Sequence, residues 1–250
     1  MYQGMLAETV NIQGHNGDII ESYFARPLGA GPYPGVVIVH HNPGWDEESK
    51  EATRKFAYHG YTAICPNLHY RYAPGASSDD ASAAHRAAGG LPDDACIGDM
   101  EGAARYLRAL PYSNGKLAII GYCSGGRQSL LVACNSTSFD AVVDCYGGGV
   151  VAQPDQLTPG RPVAVIDMIQ GLSAPLLGLF GAEDGNPDPA QTARIEEELE
   201  RHGKTYEFHT YEGAGHAFFS VDRPNYHQPS AADGWQKVFA WFEKYLSVRD

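Results

Sequence analysis

The sequence predicts an α/β fold, with a mostly parallel central sheet flanked by helices on both faces. Short apolar runs that suit buried strands alternate along the chain with segments whose apolar residues recur at helical spacing. The chain has 250 residues, a length that α/β domains often reach without dividing. No linker interrupts the alternation, so we expect a single domain over residues 1–250.

The N-terminal part predicts an antiparallel edge followed by the first buried strand. The segment from Glu8 to Ala25 reads as two strands around a glycine-containing turn. The apolar run from Val36 to Val39 predicts a strand buried on both faces. A helix is expected from Glu47 to Tyr58, because Asp46 is a suitable N-cap and Gly60 follows the last turn.

The same alternation continues to the C-terminus. Further strands are predicted at five apolar runs: Tyr61 to Cys65, Lys116 to Ile120, Ala141 to Val143, Leu176 to Phe180 and Thr205 to Tyr211. Further helices are predicted at four segments: Asp94 to Leu110, Ser124 to Cys134, Pro187 to Leu199 and Ser230 to Leu246. Residues 73–90 fit a mobile loop or a weak helix and are the best candidate for a lid. Residues 163–166 fit a strand or a buried helical turn.

Charge and cysteine content exclude several classes of function. Lys and Arg number 18 against 30 Asp and Glu, which gives a net charge of −12. Such a surface repels nucleic acid and anionic lipid, so we expect neither as a partner. The five cysteines are scattered, and no apolar run is long enough to span a membrane or to act as a secretory signal. We therefore expect a cytoplasmic protein.

The sharpest motif is Gly-Tyr-Cys-Ser-Gly-Gly at residues 121–126, between a predicted strand and a predicted helix. A nucleophile in this position sits on a tight turn, and glycines two residues before and after it remove side chains that would clash there. The start of the helix also favours the thiolate form of a cysteine. Cys123 is therefore a candidate nucleophile, although a buried cysteine in a glycine-rich connection would show the same motif.

Two later motifs supply a candidate acid and a candidate base. Asp184 follows the strand Leu176 to Phe180, and His216 lies in a glycine-rich loop after the last strand. The order nucleophile, acid, base is the one that the α/β-hydrolase architecture requires, which predicts a triad of Cys123, His216 and Asp184. Three other carboxylates remain alternative positions for the acid: Glu183, Asp188 and Asp144.

These motifs together resemble the dienelactone hydrolase family, the carboxymethylenebutenolidases. The resemblance runs from about Val36 to the end of the chain and includes the segment from Cys65 to Gly75. It implies the α/β-hydrolase fold with the triad above, and an oxyanion hole formed by the backbone N–H groups of Asn42 and Ser124. It implies no cofactor and no metal.

The resemblance also marks departures from the family pattern. His41 stands where the family usually has a glutamate that contacts the resting cysteine, so we expect Cys123 to be reactive before substrate binds. Arg71 matches the first of two arginines that hold a substrate carboxylate, and Ser220 occupies the second position. Arg223 is a possible replacement. His40 and His41 suggest a metal site, but we find no further ligand at suitable spacing.

The sequence thus predicts a cysteine-dependent hydrolase of small lactones or esters that works through an acyl-enzyme. The alternatives are a broad carboxylesterase or thioesterase of the same fold and a non-catalytic relative that binds a small molecule. The expected partner is a small lactone or ester. A monomer is the default expectation for the assembly.

Overall fold

Apolar runs form the strands of one sheet in this structure, a computed structural model that describes residues 4–247. The strands are β1 (Met5–Gln13), β2 (Ile19–Pro27), β3 (Tyr33–Val39), β4 (Thr62–Pro66), β5 (Ser113–Tyr122), β6 (Ala141–Cys145), β7 (Leu176–Gly181) and β8 (Tyr206–Tyr211). Their order in the sheet is β1-β2-β4-β3-β5-β6-β7-β8. The pairs β1–β2 and β2–β4 are antiparallel and all other pairs are parallel.

Helices cover both faces of this sheet. They are α1 (Glu47–Tyr58), α2 (Ser78–Ala87), α3 (Asp93–Arg108), α4 (Ser124–Asn135), α5 (Pro189–Arg201) and α6 (Gln228–Leu246). Alternate residues of β3 point to opposite faces: Val37 and Val39 pack with α3 and α4, whereas Val36 and Ile38 pack with α1 and α6. The predicted fold class, with its antiparallel N-terminal edge, is confirmed.

The helices α1 and α5 each begin at an aspartate N-cap. The Asp46 carboxylate accepts a hydrogen bond from the backbone N–H of Ser49 at 3.1 Å, as expected for an N-cap. At α5 the Asp188 carboxylate accepts from the N–H of Gln191 at 2.8 Å, and the Gln191 side chain accepts from the N–H of Asp188 at 3.2 Å.

The two segments with uncertain patterns are resolved differently. Within residues 73–90 the chain forms α2, and its N-cap Ser77 accepts from the N–H of Asp80 at 3.2 Å. Residues 163–166 do not form a strand; Val165–Gly171 is a 3-10 helix whose apolar residues join the core under α4.

None of the helices within residues 4–247 is long and apolar enough to cross a bilayer. The terminal residues 1–3 and 248–250 of the predicted domain lie outside the described residues.

Candidate active site

Cys123 lies on the sharp turn between β5 and α4, at the carboxyl edge of the sheet. Its backbone has φ 55° and ψ −121°, a left-handed conformation that is strained for a residue with a side chain. The turn requires the flanking glycines: a Cβ on Gly121 would collide with the carbonyl oxygen of Gly125, and one on Gly125 with that of Val39. The motif therefore presents the thiol at the start of α4.

Asp184 and His216 stand beside this turn, on the loops that follow β7 and β8. The Nδ1 atom of His216 lies 2.8 Å from Oδ2 of Asp184, whose other oxygen accepts the N–H of Asn186 at 2.8 Å. Of the alternative acids, Glu183 is exposed and Asp188 caps α5. Asp144 is buried and accepts the N–H of Gly147 at 2.8 Å. The carboxylate paired with the imidazole is thus that of Asp184.

The surroundings of Cys123 and His216 favour an ion pair. Burial raises the pKa of the Cys123 thiol, but the hydrogen bond and charge of His216 outweigh burial, and the net pKa is lowered. For His216, burial lowers the pKa, whereas hydrogen bonds to Asp184 and Cys123 raise it, to about 10 overall. Both shifts favour a thiolate beside an imidazolium over two neutral groups.

Two backbone N–H groups also face the sulfur. Those of Ser124 and Asn42 hydrogen-bond to the Cys123 side chain and contribute to its lowered pKa. The Asn42 loop is fixed from α2, because the Ser82 hydroxyl donates to the Asn42 side chain and Arg86 donates to that hydroxyl at 2.7 Å. The predicted oxyanion-hole donors are therefore brought to one side of the predicted nucleophile.

Comparison with known proteins identifies the family. The model of the dienelactone hydrolase family matches residues 20–246. The chain belongs to the dienelactone hydrolase family. The "Putative carboxymethylenebutenolidase" of Methylorubrum extorquens is 32% identical over 97% of this chain and 82% of its own length. The carboxymethylenebutenolidase of Pseudomonas putida is 30% identical over 91% of this chain and 92% of its own.

Solved structures agree with this membership. The crystal structure of "Putative Dienelactone Hydrolase" from Klebsiella pneumoniae superposes with a TM-score of 0.88 at 30% identity and covers 97% of this chain and 100% of that one. The resemblance seen in the sequence is confirmed, and so is the prediction that the protein is a carboxylic ester hydrolase.

His41, at the position where the resemblance implies a glutamate, is buried in a cluster of charged side chains. Its Nε2 atom lies 2.8 Å from the Asp46 carboxylate and 3.8 Å from that of Glu48. Sequence spacing indicates no further ligand beside His40 and His41, whereas the fold brings the carboxylates of Asp46 and Glu48 to His41. The Arg223 guanidinium lies 3.1 Å from the same imidazole nitrogen and 3.5 Å from Glu48, so a protein cation already stands at this cluster.

The resemblance implies that Arg71 holds a substrate carboxylate, and the structure pairs this arginine with two carboxylates of the protein itself. Its guanidinium makes a two-pronged ion pair with Asp99, at 2.7 and 2.8 Å, and a third contact to Asp18 at 2.6 Å. The Asp99 side chain is fully buried, so Arg71 neutralises a charge inside the protein. This pairing leaves no free fork for a substrate carboxylate.

Two cavities that share Ser124 as a lining residue lie at the predicted site. One of about 460 Å³ is lined by Cys123, Ser124, Asp184 and His216. A second, of about 370 Å³, shares Ser124 with the first and also contacts Asn42. These volumes suit a small molecule.

Sequence reasoning missed two residues of the second cavity, Arg86 and Arg161. Arg86 lies within residues 73–90, which have no clear periodicity, and Arg161 lies just before the ambiguous residues 163–166. The available signal was the presence of basic residues in loops of an acidic chain.

Proposed function

We propose that the protein is a cysteine hydrolase of small, anionic carboxylic esters or lactones, with Cys123 as nucleophile, His216 as acid and base, and Asp184 as the residue that orients His216. One observation carries the proposal. The thiol on the strained turn after β5 meets both an imidazole held by a buried carboxylate and two backbone N–H donors.

Acylation uses the resting ion pair. The Cys123 thiolate attacks the carbonyl carbon, and the carbonyl π electrons move onto oxygen, where the N–H groups of Asn42 and Ser124 stabilise the negative charge. When the tetrahedral intermediate collapses, the bond to the leaving oxygen breaks. The His216 imidazolium gives its proton to that oxygen, and a thioester remains on Cys123. From an ester an alcohol is released, whereas from a lactone the new hydroxyl stays attached to the acyl group.

Deacylation uses the neutral imidazole left by the first step. His216 takes a proton from water, the resulting hydroxide attacks the thioester, and the same two N–H groups again hold the oxyanion. Collapse releases the carboxylic acid and expels the Cys123 thiolate, which again lies beside the imidazolium formed when His216 took the proton from water. Asp184, at 2.8 Å from Nδ1, keeps the ring oriented through both steps.

Two arginines support the choice of an anionic substrate. Arg86 and Arg161 line the cavity beside Asn42 and Ser124, and no carboxylate within residues 4–247 forms an ion pair with either. We propose them, in place of Arg71, as the cations that receive a substrate carboxylate. Arg223 is not proposed as a substrate-binding cation, because its guanidinium already pairs with Glu48 and Asp46.

The test is to trap the acyl-enzyme. Wild-type protein is mixed with a 4-nitrophenyl ester, quenched in acid and digested, and mass spectrometry locates the acyl group. We expect it on the peptide that contains Cys123, with turnover abolished in Cys123→Ala. The buried Cys145 provides the matched control, since Cys145→Ala should keep both the adduct and the turnover. Undiminished turnover in Cys123→Ala would disprove the proposal.

A further inference from the structure

Three residues that line the cavity beside Asn42 and Ser124 carry buried polar atoms without a hydrogen-bond partner in residues 4–247. Its wall includes His69, His85 and Gln128, which are 2%, 7% and 5% exposed. The atoms His69 Nδ1, both ring nitrogens of His85 and Gln128 Oε1 have no hydrogen-bond partner in the described chain. Leaving such groups unmatched is costly in a folded protein, so a cluster of them around one cavity points to a ligand.

Each of these atoms can be assigned as a hydrogen-bond donor or acceptor. His69 donates to the backbone carbonyl of Gly44, and because Nδ1 is the nitrogen without a partner, the neutral ring keeps Nδ1 as an acceptor. The Gln128 oxygen is also an acceptor. His85 stacks on His69 at 4.5 Å between ring centres and, as a neutral ring, offers one donor and one acceptor.

Both imidazoles stay neutral under ordinary conditions. Burial is the main cause that lowers the pKa of each ring to about 4; the pKa of His85 is further lowered by His69, Arg161 and Arg86. The cavity therefore combines two cationic guanidinium groups with uncharged acceptors. A carboxylate satisfies the guanidinium groups but cannot donate to His69 or Gln128, so an anion alone leaves this wall unmatched.

We infer that this cavity recognises substrates that carry a free hydroxyl in addition to the carboxylate, and that His69, His85 and Gln128 are the specificity-determining residues that read the hydroxyl. The inference rests on the proposed function, since it names the substrate class of the same site. A hydroxyl donates to one acceptor, Nδ1 of His69 or Oε1 of Gln128, and accepts from the N–H of His85. A hydroxylated acid ester or lactone thus matches groups that a simple acid leaves unpaired.

The experiment compares substrates that differ by one group. The 4-nitrophenyl hemiesters of malic acid, in both hydroxyl positions and both enantiomers, are compared with the succinate hemiester by kcat/KM. Wild-type protein should prefer at least one malate ester by about 10- to 100-fold, because the succinate ester leaves the buried acceptors unmatched. Equal rates for succinate and all four malate esters would overturn the inference.

Two variants test whether His85 and Gln128 cause the preference for malate esters. His85→Phe and Gln128→Met remove the polar atoms at similar size, and each should lower the malate-to-succinate ratio about 10-fold or more. The control His209→Phe, on the edge strand β8, should leave the ratio unchanged. A full preference retained in both cavity variants contradicts the assignment. Using two variants keeps the test valid should one of them fail to fold.

A binding measurement separates this inference from the proposed chemistry. Calorimetric titration of Cys123→Ala with malate and with succinate reports the cavity without any turnover. Tighter binding of malate supports the inference even if the trapping experiment contradicts Cys123 as nucleophile. Equal binding of the two acids overturns it even if trapping succeeds.

Discussion

Replacing Arg71 tests whether this arginine holds the protein together or holds the substrate. The resemblance to the family implied a substrate contact, whereas the structure ties Arg71 to Asp99 and Asp18. We therefore expect Arg71→Met to destabilise the fold and to leave the preference for anionic over neutral esters intact.

The magnitude follows from the burial of the partner. The Asp99 side chain is fully buried, whereas that of Arg71 is 22% exposed. Removing one partner of a buried pair costs about 3–5 kcal/mol. We take the lower value, about 3 kcal/mol, because Asp99 keeps the hydrogen bond from the N–H of His15 at 2.9 Å. For a chain of this size that loss corresponds to a Tm about 6–12 °C lower.

The assay is thermal unfolding, followed by kcat/KM for 4-nitrophenyl succinate and 4-nitrophenyl butyrate. The double variant Arg71→Met, Asp99→Asn should recover part of the lost stability, because the unpaired carboxylate is gone. Arg201→Met is the control, since its ion pair with Glu198 is mostly exposed and its loss costs under about 1 kcal/mol. An unchanged Tm together with a lost preference for succinate would refute the structural role and restore the sequence-based one.

Three further predictions concern the triad. The pH at which iodoacetamide alkylation of Cys123 in the free enzyme falls off should lie below that of a free thiol such as glutathione, because the pKa of Cys123 is lowered. An inflection at or above that of the free thiol contradicts this. Asp184→Asn should reduce kcat about 10³- to 10⁴-fold. It should also raise the pH of the Cys123 alkylation inflection, because His216 loses the partner that raises its pKa. Unchanged steady-state kinetics would rule out the orienting role. Gly125→Ala should abolish turnover, as measured with 4-nitrophenyl butyrate, because its Cβ meets the Val39 carbonyl; full activity means that the turn does not need this glycine.

The sequence predicted those parts of the site that local backbone geometry encodes. Cys123 is recognisable because the left-handed turn needs glycines at fixed distances on either side. Asp184 and His216 follow strands whose apolar runs are unmistakable, and parallel strands bring their carboxyl ends to one edge. The N-cap at Asp46 was predictable for the same reason, since a cap acts within one turn of its helix.

The residues that sequence reasoning misjudged depend on contacts between distant parts of the chain. Arg71 is paired with Asp99, 28 residues away, and with Asp18, 53 residues away. Neither contact can be predicted from the periodicity of the sequence. The cavity wall is assembled from α2, β5–α4 and the segment near Arg161. Such side chains have weak local patterns, so only the folded chain shows that they meet.

The last prediction concerns Arg161: replacing it should raise the stability of the free protein and lower its selectivity for anionic esters. On a chain with 30 acidic and 18 basic residues a cation readily finds a partner, and the neighbouring Arg127 pairs with Asp93 at 2.9 Å. Within residues 4–247 the Arg161 side chain makes one hydrogen bond, long at 3.4 Å, to the carbonyl of Leu91. Burial, and then repulsion by Arg127, lowers its pKa, so at neutral pH its charge costs folding free energy that a bound anion would return.

Arg161→Met should therefore raise the Tm of the free protein by about 1–4 °C while it lowers kcat/KM for succinate esters relative to butyrate esters about 10-fold or more. Added succinate should stabilise the wild type more than the variant. A lower Tm with unchanged selectivity would show that the guanidinium serves the fold, and the anionic substrate class would then have to rest on Arg86 alone.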